Sequence, residues 1–400
     1  MTGLLSTLDP PAPDPIIALM QQLAADPRPG RIDLGVGVYR DAAGRTPVMA
    51  AVAAAEARVL AAQETKGYLG LAGDPGFIAA MCDLLLGAPV APERIAAVAT
   101  PGGSGALRQV MALVQTANPD ARIWIGQPSW PNHAAIAEGL GLAVRPHRYL
   151  DPARGTVDTP AMLADLEGAQ AGDVVILHAS CHNPSGADLT AQDWAAVGAL
   201  CARRGLVPLV DVAYQGFGTG LVDDVAGLRL LADRLPEVLV AASGSKSFGL
   251  YRERVGLALA LCDGRVAATK VTAALVALNR RTFAFPPDHG ARVVTTILCD
   301  RVLCADWEAQ LGMMRRRVAE TREALAAALR TRTQGTQFEA LRHQRGMFSL
   351  LDLSPGQITA LREMHAIYLV PDGRINLAGL TADTTPTVAA AIAAVLRACG

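Results

Sequence analysis

Residues 207–217 of this 400-residue chain read VPLVDVAYQGF, and residues 238–250 read VLVAASGSKSFGL. Each segment opens with a short apolar run and continues into polar residues and glycine. A continuous run of Val, Leu and Ala is typical of a strand that is buried on both faces of a parallel sheet. The two segments therefore predict buried strands whose ends carry reactive side chains.

Further apolar runs resemble these two. The predicted strands are 95–99, 123–126, 174–179, 207–212, 238–242 and 255–261. Helical stretches lie between them, for example over 106–115, 193–204 and 228–234. This alternation predicts an α/β fold with a mainly parallel sheet, in which ligands bind beyond the carboxyl ends of the strands.

The two ends of the chain follow other patterns. The prolines at 10, 11, 13 and 15 predict an extended arm over residues 1–15, and helices are expected over 16–25 and 48–64. Residues 290–332 read as one long helix. Beyond residue 336, the order is strand 346–351, helix 355–364, strands 367–370 and 373–377, and helix 384–398. That order predicts a second, smaller α+β domain.

Composition excludes several classes of protein. Hydrophobic residues make up 51% of the chain and charged residues 18%, so a large buried core is expected and disorder is excluded. A net charge of −1 gives no basic field for nucleic acid or an anionic membrane. No apolar run reaches the ~18–20 residues that span a bilayer, and the N-terminus lacks a secretory pattern. Seven scattered cysteines predict reduced thiols in a cytoplasmic protein.

Two glycine-containing loops follow predicted strands. Residues 100–107 read TPGGSGAL, and such a loop before a helix can seat a phosphate. The loop lacks the GxGxxG pattern of nicotinamide dehydrogenases, and no HExxH or CxxC pattern indicates a metal. Residues 180–186 read SCHNPSG, which suits either a turn or an amide donor at a strand end. Trp130 follows another strand and either stacks on a planar ligand or fills core volume.

Two charged residues stand at the ends of the quoted strands. Asp211 lies within an apolar strand and needs a cationic or hydrogen-bonding partner, for which a pyridinium nitrogen, a helix cap or a salt bridge would serve. Lys246 is one of only three lysines beside 33 arginines. Its Ser/Gly loop predicts a desolvated amine that acts as a nucleophile. Ser243, Ser245 and Arg254 would hold a phosphate beside it.

Taken in order, these segments resemble the class I aminotransferases among the fold-type-I pyridoxal-phosphate enzymes, and most of all the bacterial aspartate and aromatic-amino-acid subgroup. The likeness runs nearly end to end. Besides the loops above, it is carried by GVGVY at 35–39, YLG at 68–70, PSWPNH at 128–133, HNP at 182–184, DVAYQGF at 211–217, the segment 243–256, Arg280 before Pro286-Pro287, GMFS at 346–349 and GRIN at 373–376.

The resemblance implies an architecture and a homodimer with shared active sites. It implies a seven-stranded, mainly parallel sheet between helices in a large pyridoxal-phosphate-binding domain over 46–313. The small domain would comprise 16–45 and 314–400. Tyr68 and Arg280 would complete the site of the second subunit. The other partners would be small amino acids and 2-oxo acids, with no nucleic acid and no membrane.

The resemblance also implies the role of each site residue. Lys246 would bond covalently to pyridoxal 5'-phosphate and carry the proton between the substrate carbon and the cofactor. Asp211, supported by His133, would pair with the ring nitrogen, Tyr214 and Asn183 would bind the phenolic oxygen, and Trp130 would stack on the ring. The phosphate would be held by Gly103, Ser104, Ser243, Ser245, Arg254 and the second subunit's Tyr68. Arg374, aided by Gly37, would bind the α-carboxylate, and Arg280 the side-chain carboxylate.

Three departures from the family pattern bear on specificity. Ala284-Phe285 stand where aspartate-specific members usually carry Ser-Asn, Gly102 where many have serine, and Gly244 where tyrosine is frequent. Phe285 favours an apolar pocket while Arg280 favours acidic substrates. The sequence therefore predicts an aminotransferase for aromatic and acidic amino acids. A strict aspartate aminotransferase, or a pyridoxal-phosphate lyase on the same fold, stays open as an alternative.

Overall fold

A computed structural model describes residues 3–9, 14–87 and 90–398. Prolines 10, 11 and 13 of the predicted arm and Cys399 lie outside the described residues. The strands within the described ranges are β1 Ile32–Asp33, β2 Ile95–Pro101, β3 Arg122–Gln127, β4 Ala143–Arg148, β5 Leu150–Asp151, β6 Thr156–Val157, β7 Val174–His178, β8 Val207–Val212, β9 Val238–Ser243, β10 Val255–Leu261, β11 Phe348–Leu350, β12 Ile367–Tyr368 and β13 Arg374–Asn376.

The helices surround the central strands and continue to the C-terminal end. Those in the same described ranges are α1 Pro15–Ala25, α2 Ala50–Ala61, α3 Pro75–Leu86, α4 Gly102–Ala117, α5 Pro131–Gly139, α6 Thr159–Leu166, α7 Ala191–Arg204, α8 Ala226–Arg234, α9 Arg265–Thr282, α10 His289–Cys299, α11 Arg301–Thr333, α12 Pro355–His365 and α13 Thr384–Ala398. None of the described helices is long and apolar enough to cross a membrane.

The central sheet has seven strands in the order β2-β10-β9-β8-β7-β3-β4. Strand β10 runs antiparallel to both of its neighbours, and the other pairs are parallel. The predicted α/β fold with a mainly parallel, seven-stranded sheet is therefore confirmed. Because β7, β8 and β9 are adjacent and parallel, their carboxyl ends bring the loops after residues 178, 212 and 243 to one edge of the sheet.

Helices cover both faces of this sheet because its side chains alternate between two apolar layers. Val98, Ile176 and Leu209 point into one layer, which α4 and α9 complete. Val175, Val210 and Val240 belong to the opposite layer, with side chains from α2, α3, α7 and α10. Burial on both faces explains why these strands read as continuous apolar runs in the sequence.

The terminal segments form a separate group of short strands and helices. Strand β1 pairs in parallel with β12, and β11 pairs antiparallel with β13. Helices α12 and α13 pack together, and α13 also packs along α11. The pairing of β1 with β12 joins residues 32–33 to 367–368. Helix α11 runs unbroken through residues 313 and 314, where the domain boundary is predicted, so the division into domains stays a prediction.

The single helix predicted over 290–332 is wrong. The chain leaves α10 at Cys299 and enters α11 at Arg301, with Asp300 in an extended conformation between them. The Asp300 carboxylate accepts hydrogen bonds from the backbone N–H groups of Val302 and Leu303 at 2.9 and 3.0 Å. This side-chain cap starts a new helix, which the continuous polar and apolar periodicity concealed.

Candidate active site

Most of the predicted site residues line one cavity at the carboxyl edge of the sheet. They are Gly37, Gly103, Ser104, Trp130, Asn183, Asp211, Tyr214, Ser243, Ser245, Lys246, Arg254 and Arg374. Seven segments of the chain meet here, because adjacent parallel strands end at this edge and the β13 segment packs over it. A larger cavity, of about 580 Å³, lies between the loop around Asp188 and residues 343–345, and it contains none of the predicted site residues.

One wall of the cavity is a seat for an anion. Helix α4 begins at Gly102, and its first N–H groups lack partners within the helix. Arg254 lies beside them, because its carbonyl accepts a hydrogen bond from the Gly102 N–H at 2.8 Å. The Arg254 guanidinium donates to Ser245 Oγ at 3.3 Å. A helix N-terminus, a guanidinium and hydroxyl groups together favour a phosphate.

The structure explains the glycine at position 102, where many members of the resembling family carry serine. Gly102 has φ +70°, a backbone conformation that residues with a side chain rarely adopt. A Cβ atom at this position would lie 2.5 Å from Arg254 Nη2. Glycine therefore allows the helix to start directly against the guanidinium.

Asp211 forms the floor of the cavity and is buried. Its carboxylate lies 2.9 Å from His133 Nε2, and His133 Nδ1 lies 3.0 Å from Ser129 Oγ. Burial by itself would raise the pKa of Asp211, but the hydrogen bond with His133, together with weaker electrostatic interactions that include the one with Lys246, lowers the pKa below the ordinary value. Asp211 is therefore a carboxylate at neutral pH, able to pair with a cationic ring nitrogen.

Lys246 faces Asp211 across the cavity and is half-buried. Burial lowers the pKa of its amine, the Asp211 charge opposes that change, and the Arg254 charge adds to it. Lys246 Nζ lies 5.0 Å from the centre of the Tyr214 ring. Burial raises the pKa of the Tyr214 phenol, so that it is a hydrogen-bond donor at neutral pH. A desolvated amine with a lowered pKa is a nucleophile and a proton acceptor.

Arg374 closes the cavity from the side of β13. Its Nη1 donates to Asn183 Oδ1 at 3.0 Å, its Nη2 donates to the Gly35 carbonyl at 3.3 Å, and its guanidinium lies 4.7 Å from the centre of the Phe348 ring. The buried Nε has no partner among the described residues. The described residues provide no carboxylate partner for this guanidinium, so it can bind the carboxylate of a substrate.

Five residues that line the cavity were not among the predicted site residues: Ile16, Leu107, His178, Ala213 and Phe348. His178 is the last residue of β7 and lies beside His133, with ring centres 5.1 Å apart. Burial and the neighbouring His133 lower the pKa of His178 to about 3, so it is neutral. Phe348 packs edge-on against Tyr214 and lies under Arg374. A polar residue that ends an apolar strand was the available signal for His178, whereas Phe348 reads only as part of an apolar run.

Tyr68 and Arg280 do not line this cavity. Tyr68 is 84% exposed, and Arg280 is exposed near the end of α9. The Tyr68 ring instead stacks on Phe285 of the same chain, with centres 4.5 Å apart and an angle of 12° between planes. The two residues that are predicted to act in a second subunit are therefore absent from the lining of the cavity around Lys246.

These features define an α/β protein whose sheet edge presents an anion seat, a buried carboxylate, a half-buried amine and an arginine that can receive a carboxylate. The family model for aminotransferase class I and II matches residues 29–392. The chain therefore belongs to the class I and II aminotransferase family and is a transferase enzyme.

Individual relatives share nearly the whole chain. It is 49% identical over 389 residues to an aromatic-amino-acid aminotransferase of Paracoccus denitrificans, covering 97% of this chain and 99% of that one. It is 41% identical over 386 residues to the aspartate aminotransferase of Escherichia coli, covering 96% and 98%. The solved aromatic-amino-acid aminotransferase of Burkholderia pseudomallei, covalently bound to pyridoxal phosphate, superimposes with a TM-score of 0.95 at 39% identity, covering 99% of this chain and 100% of that one.

Proposed function

We propose that this protein transfers amino groups between aromatic or acidic L-amino acids and 2-oxo acids such as 2-oxoglutarate, with pyridoxal 5'-phosphate as cofactor. The observation that carries the proposal is the placement of Lys246, Asp211 and Arg374 around one cavity beside an anion seat. The named relatives act on both substrate classes, being aromatic-amino-acid and aspartate aminotransferases.

The residues of the cavity fit pyridoxal phosphate. Donors for a phosphate come from the N-terminus of α4 and from Ser104, Ser243, Ser245 and Arg254. The Asp211 carboxylate suits a protonated ring nitrogen, because its partner His133 occupies only one side of the carboxylate. Tyr214 and Asn183 offer donors for the phenolic oxygen, and the Trp130 indole suits stacking on the ring.

When bound, pyridoxal phosphate supplies an electron sink for the bond-breaking step at the substrate's Cα. The protein residues hold and move the protons. Lys246 Nζ, with its lowered pKa, would hold the cofactor and then take the Cα proton of the substrate and return it. Asp211, with its lowered pKa, would stay a carboxylate and so favour the proton on the ring nitrogen. Arg374 orients the substrate by its α-carboxylate, with Gly37 beside it.

The side-chain preference rests on Arg280 and Phe285. A guanidinium pairs with a second carboxylate, which suits aspartate and glutamate, whereas the Phe285 ring suits phenylalanine and tyrosine. Neither residue reaches this chain's own cavity, so both act only if a second copy presents them. We therefore propose a homodimer with shared active sites. We also propose a large domain over 46–313, a small domain over 16–45 and 314–400, and a cytoplasmic location for the enzyme.

Absorbance of the purified protein with added pyridoxal phosphate tests the reaction. A visible or near-ultraviolet band that bleaches when glutamate is added is the expected result, and Lys246→Ala should lack that band. Single-turnover rates with aspartate, glutamate, phenylalanine and tyrosine then test the specificity. The dual preference is supported if the rates with aromatic donors lie within about tenfold of those with acidic donors. A tenfold ratio corresponds to a difference of about 1.4 kcal/mol in activation free energy. Reaction with aspartate alone would establish the strict aspartate enzyme instead.

A further inference from the structure

Two side-chain amides are fully buried behind the cavity, on different helices. Gln109 on α4 and Asn279 on α9 are both 0% exposed. Gln109 Nε2 donates to Asn279 Oδ1 at 2.8 Å. Their helices otherwise complete an apolar layer against the sheet. Because apolar side chains would fill that space without the cost of burying amides, the pair needs a reason beyond packing.

The Asn279 amide connects α9 to two other segments. Its Nδ2 donates to the Leu71 carbonyl at 2.9 Å and to the Ala99 carbonyl at 3.2 Å. Leu71 lies three residues after Tyr68, and Ala99 lies in β2, next to the start of α4. Both Nδ2 hydrogens and one Oδ1 lone pair are thus in use. No aliphatic side chain can replace these three bonds.

The backbone of Asn279 determines the end of the same helix. Its carbonyl accepts hydrogen bonds from the N–H groups of Phe283 at 3.1 Å and Ala284 at 2.9 Å, where Ala284 adopts φ +62°. This turn directs Phe285 onto the Tyr68 ring. Asn279 therefore touches the segment that carries Tyr68 through its side chain and the segment that carries Phe285 through its carbonyl. Arg280 is the next residue.

We propose that Asn279 is a positioning residue for substrate choice. It holds Tyr68, Phe285 and Arg280 as one rigid unit that enters the partner's site, and so sets the discrimination between acidic and aromatic side chains. This inference rests on the proposed function and its shared sites. A bidentate pair with a carboxylate tolerates little displacement, whereas apolar contact with a ring is not directional. Loosening the unit should therefore penalise acidic donors most.

The test measures kcat/KM of the holoenzyme for aspartate, phenylalanine and alanine in Asn279→Leu. Alanine is the internal reference, because its methyl group does not extend to Arg280 or Phe285. We expect kcat/KM for aspartate to fall about tenfold or more, phenylalanine to fall less, and alanine to stay within about threefold. A matched variant, Gln109→Leu, leaves the bonds from Asn279 to Leu71 and Ala99 and should keep the ratio of aspartate to alanine near that of the wild type.

Two further measurements separate positioning from stability. Asn279→Ser is less disruptive to folding and should shift the ratio in the same direction by a smaller factor. Asn279→Leu leaves the Gln109 amide without its hydrogen-bond partner, and the double variant Gln109→Leu/Asn279→Leu removes that amide. The thermal midpoint of the double variant should therefore exceed that of Asn279→Leu, while its ratio of kcat/KM for aspartate to that for alanine should stay altered. An equal fall for all three donors, or an unchanged ratio in both Asn279 variants, would overturn the inference. Wild-type protein that turns over no donor would overturn the proposed function itself.

Discussion

Arg374 Nη1 donates a hydrogen bond to Asn183 Oδ1 at 3.0 Å, although the two residues are 191 positions apart in the chain. Asn183 belongs to the loop after β7, and Arg374 begins β13. The bond joins the sheet that carries Lys246 and Asp211 to the C-terminal segment that would bind the substrate carboxylate. It thereby holds the arginine at a fixed distance from the reacting groups.

Replacing Arg374 tests its assignment as the carboxylate-binding residue. Arg374→Ala removes a charge-assisted pair of hydrogen bonds, and kcat/KM for every amino donor should fall about 1,000-fold. Asn183→Ala removes one hydrogen bond that holds the guanidinium, and kcat/KM should fall about tenfold. Steady-state kinetics with aspartate and phenylalanine provide the measurement. Arg316→Ala, at an exposed position of α11, is the control. A selective loss of aspartate turnover in Arg374→Ala would show that Arg374 binds the side-chain carboxylate instead.

Asp211 and His133 form the second testable pair. Asp211→Asn removes the charge that keeps the ring nitrogen protonated, so kcat should fall about 100-fold to 1,000-fold, the usual effect of losing one preorganised electrostatic partner. His133→Gln keeps the carboxylate but weakens its support, and its effect on kcat should be smaller. Stopped-flow rates of the half-reaction with glutamate measure both. Comparable activity in Asp211→Asn and the wild type is the result that would contradict the pairing.

Hybrid dimers test whether Arg280 acts across subunits. A Lys246→Ala chain and an Arg280→Ala chain are each expected to be poor catalysts with aspartate. Mixed dimers regain one intact site, in which Lys246 of one chain meets Arg280 of the other. Activity with aspartate should therefore exceed that of either variant alone and rise with the fraction of hybrids. If mixing gives only the average of the two parents, Arg280 does not complete the second subunit's site.

The buried histidine His178 predicts a dependence of stability on pH. Its pKa in the folded protein is lowered from 6.5 to about 3, so the unfolded chain binds the proton more readily between those values. Stability from this group is fully present above pH 6.5 and is lost as the pH falls toward 3, by about 1.4 kcal/mol per pH unit.

Denaturant unfolding at fixed protein concentration between pH 4.5 and 7 measures this effect. His178→Gln, which does not titrate, should reduce the slope of unfolding free energy against pH over that range by roughly this amount. Replacing the exposed His343 by Gln serves as the control, because solvent surrounds that side chain in both states. Equal slopes for wild type and His178→Gln would show that His178 takes up its proton without unfolding the protein.

The sequence by itself determined the sheet and the identity of most cavity residues. Strands such as 207–212 and 255–261 are predicted at their observed bounds, because burial on both faces imposes an unbroken apolar run. Asp211 and Lys246 stand at the ends of such runs, where a charged residue has to have a chemical partner. The loop motifs in their order were sufficient to indicate the family, to which the matching family model assigns the chain.

Only the tertiary structure decided what depends on contacts between distant segments. The boundary between α10 and α11 at Asp300 arises from a side-chain cap, which the hydrophobic periodicity does not reveal. The neutral state of His178 comes from its burial against His133, and the stacking of Tyr68 on Phe285 joins residues 217 positions apart. The buried pair of Gln109 and Asn279 joins two helices across one face of the sheet. The hydrophobic pattern depends on residues that are close in sequence. Long-range hydrogen bonds and the desolvation of buried groups depend on residues that come together only when the chain folds.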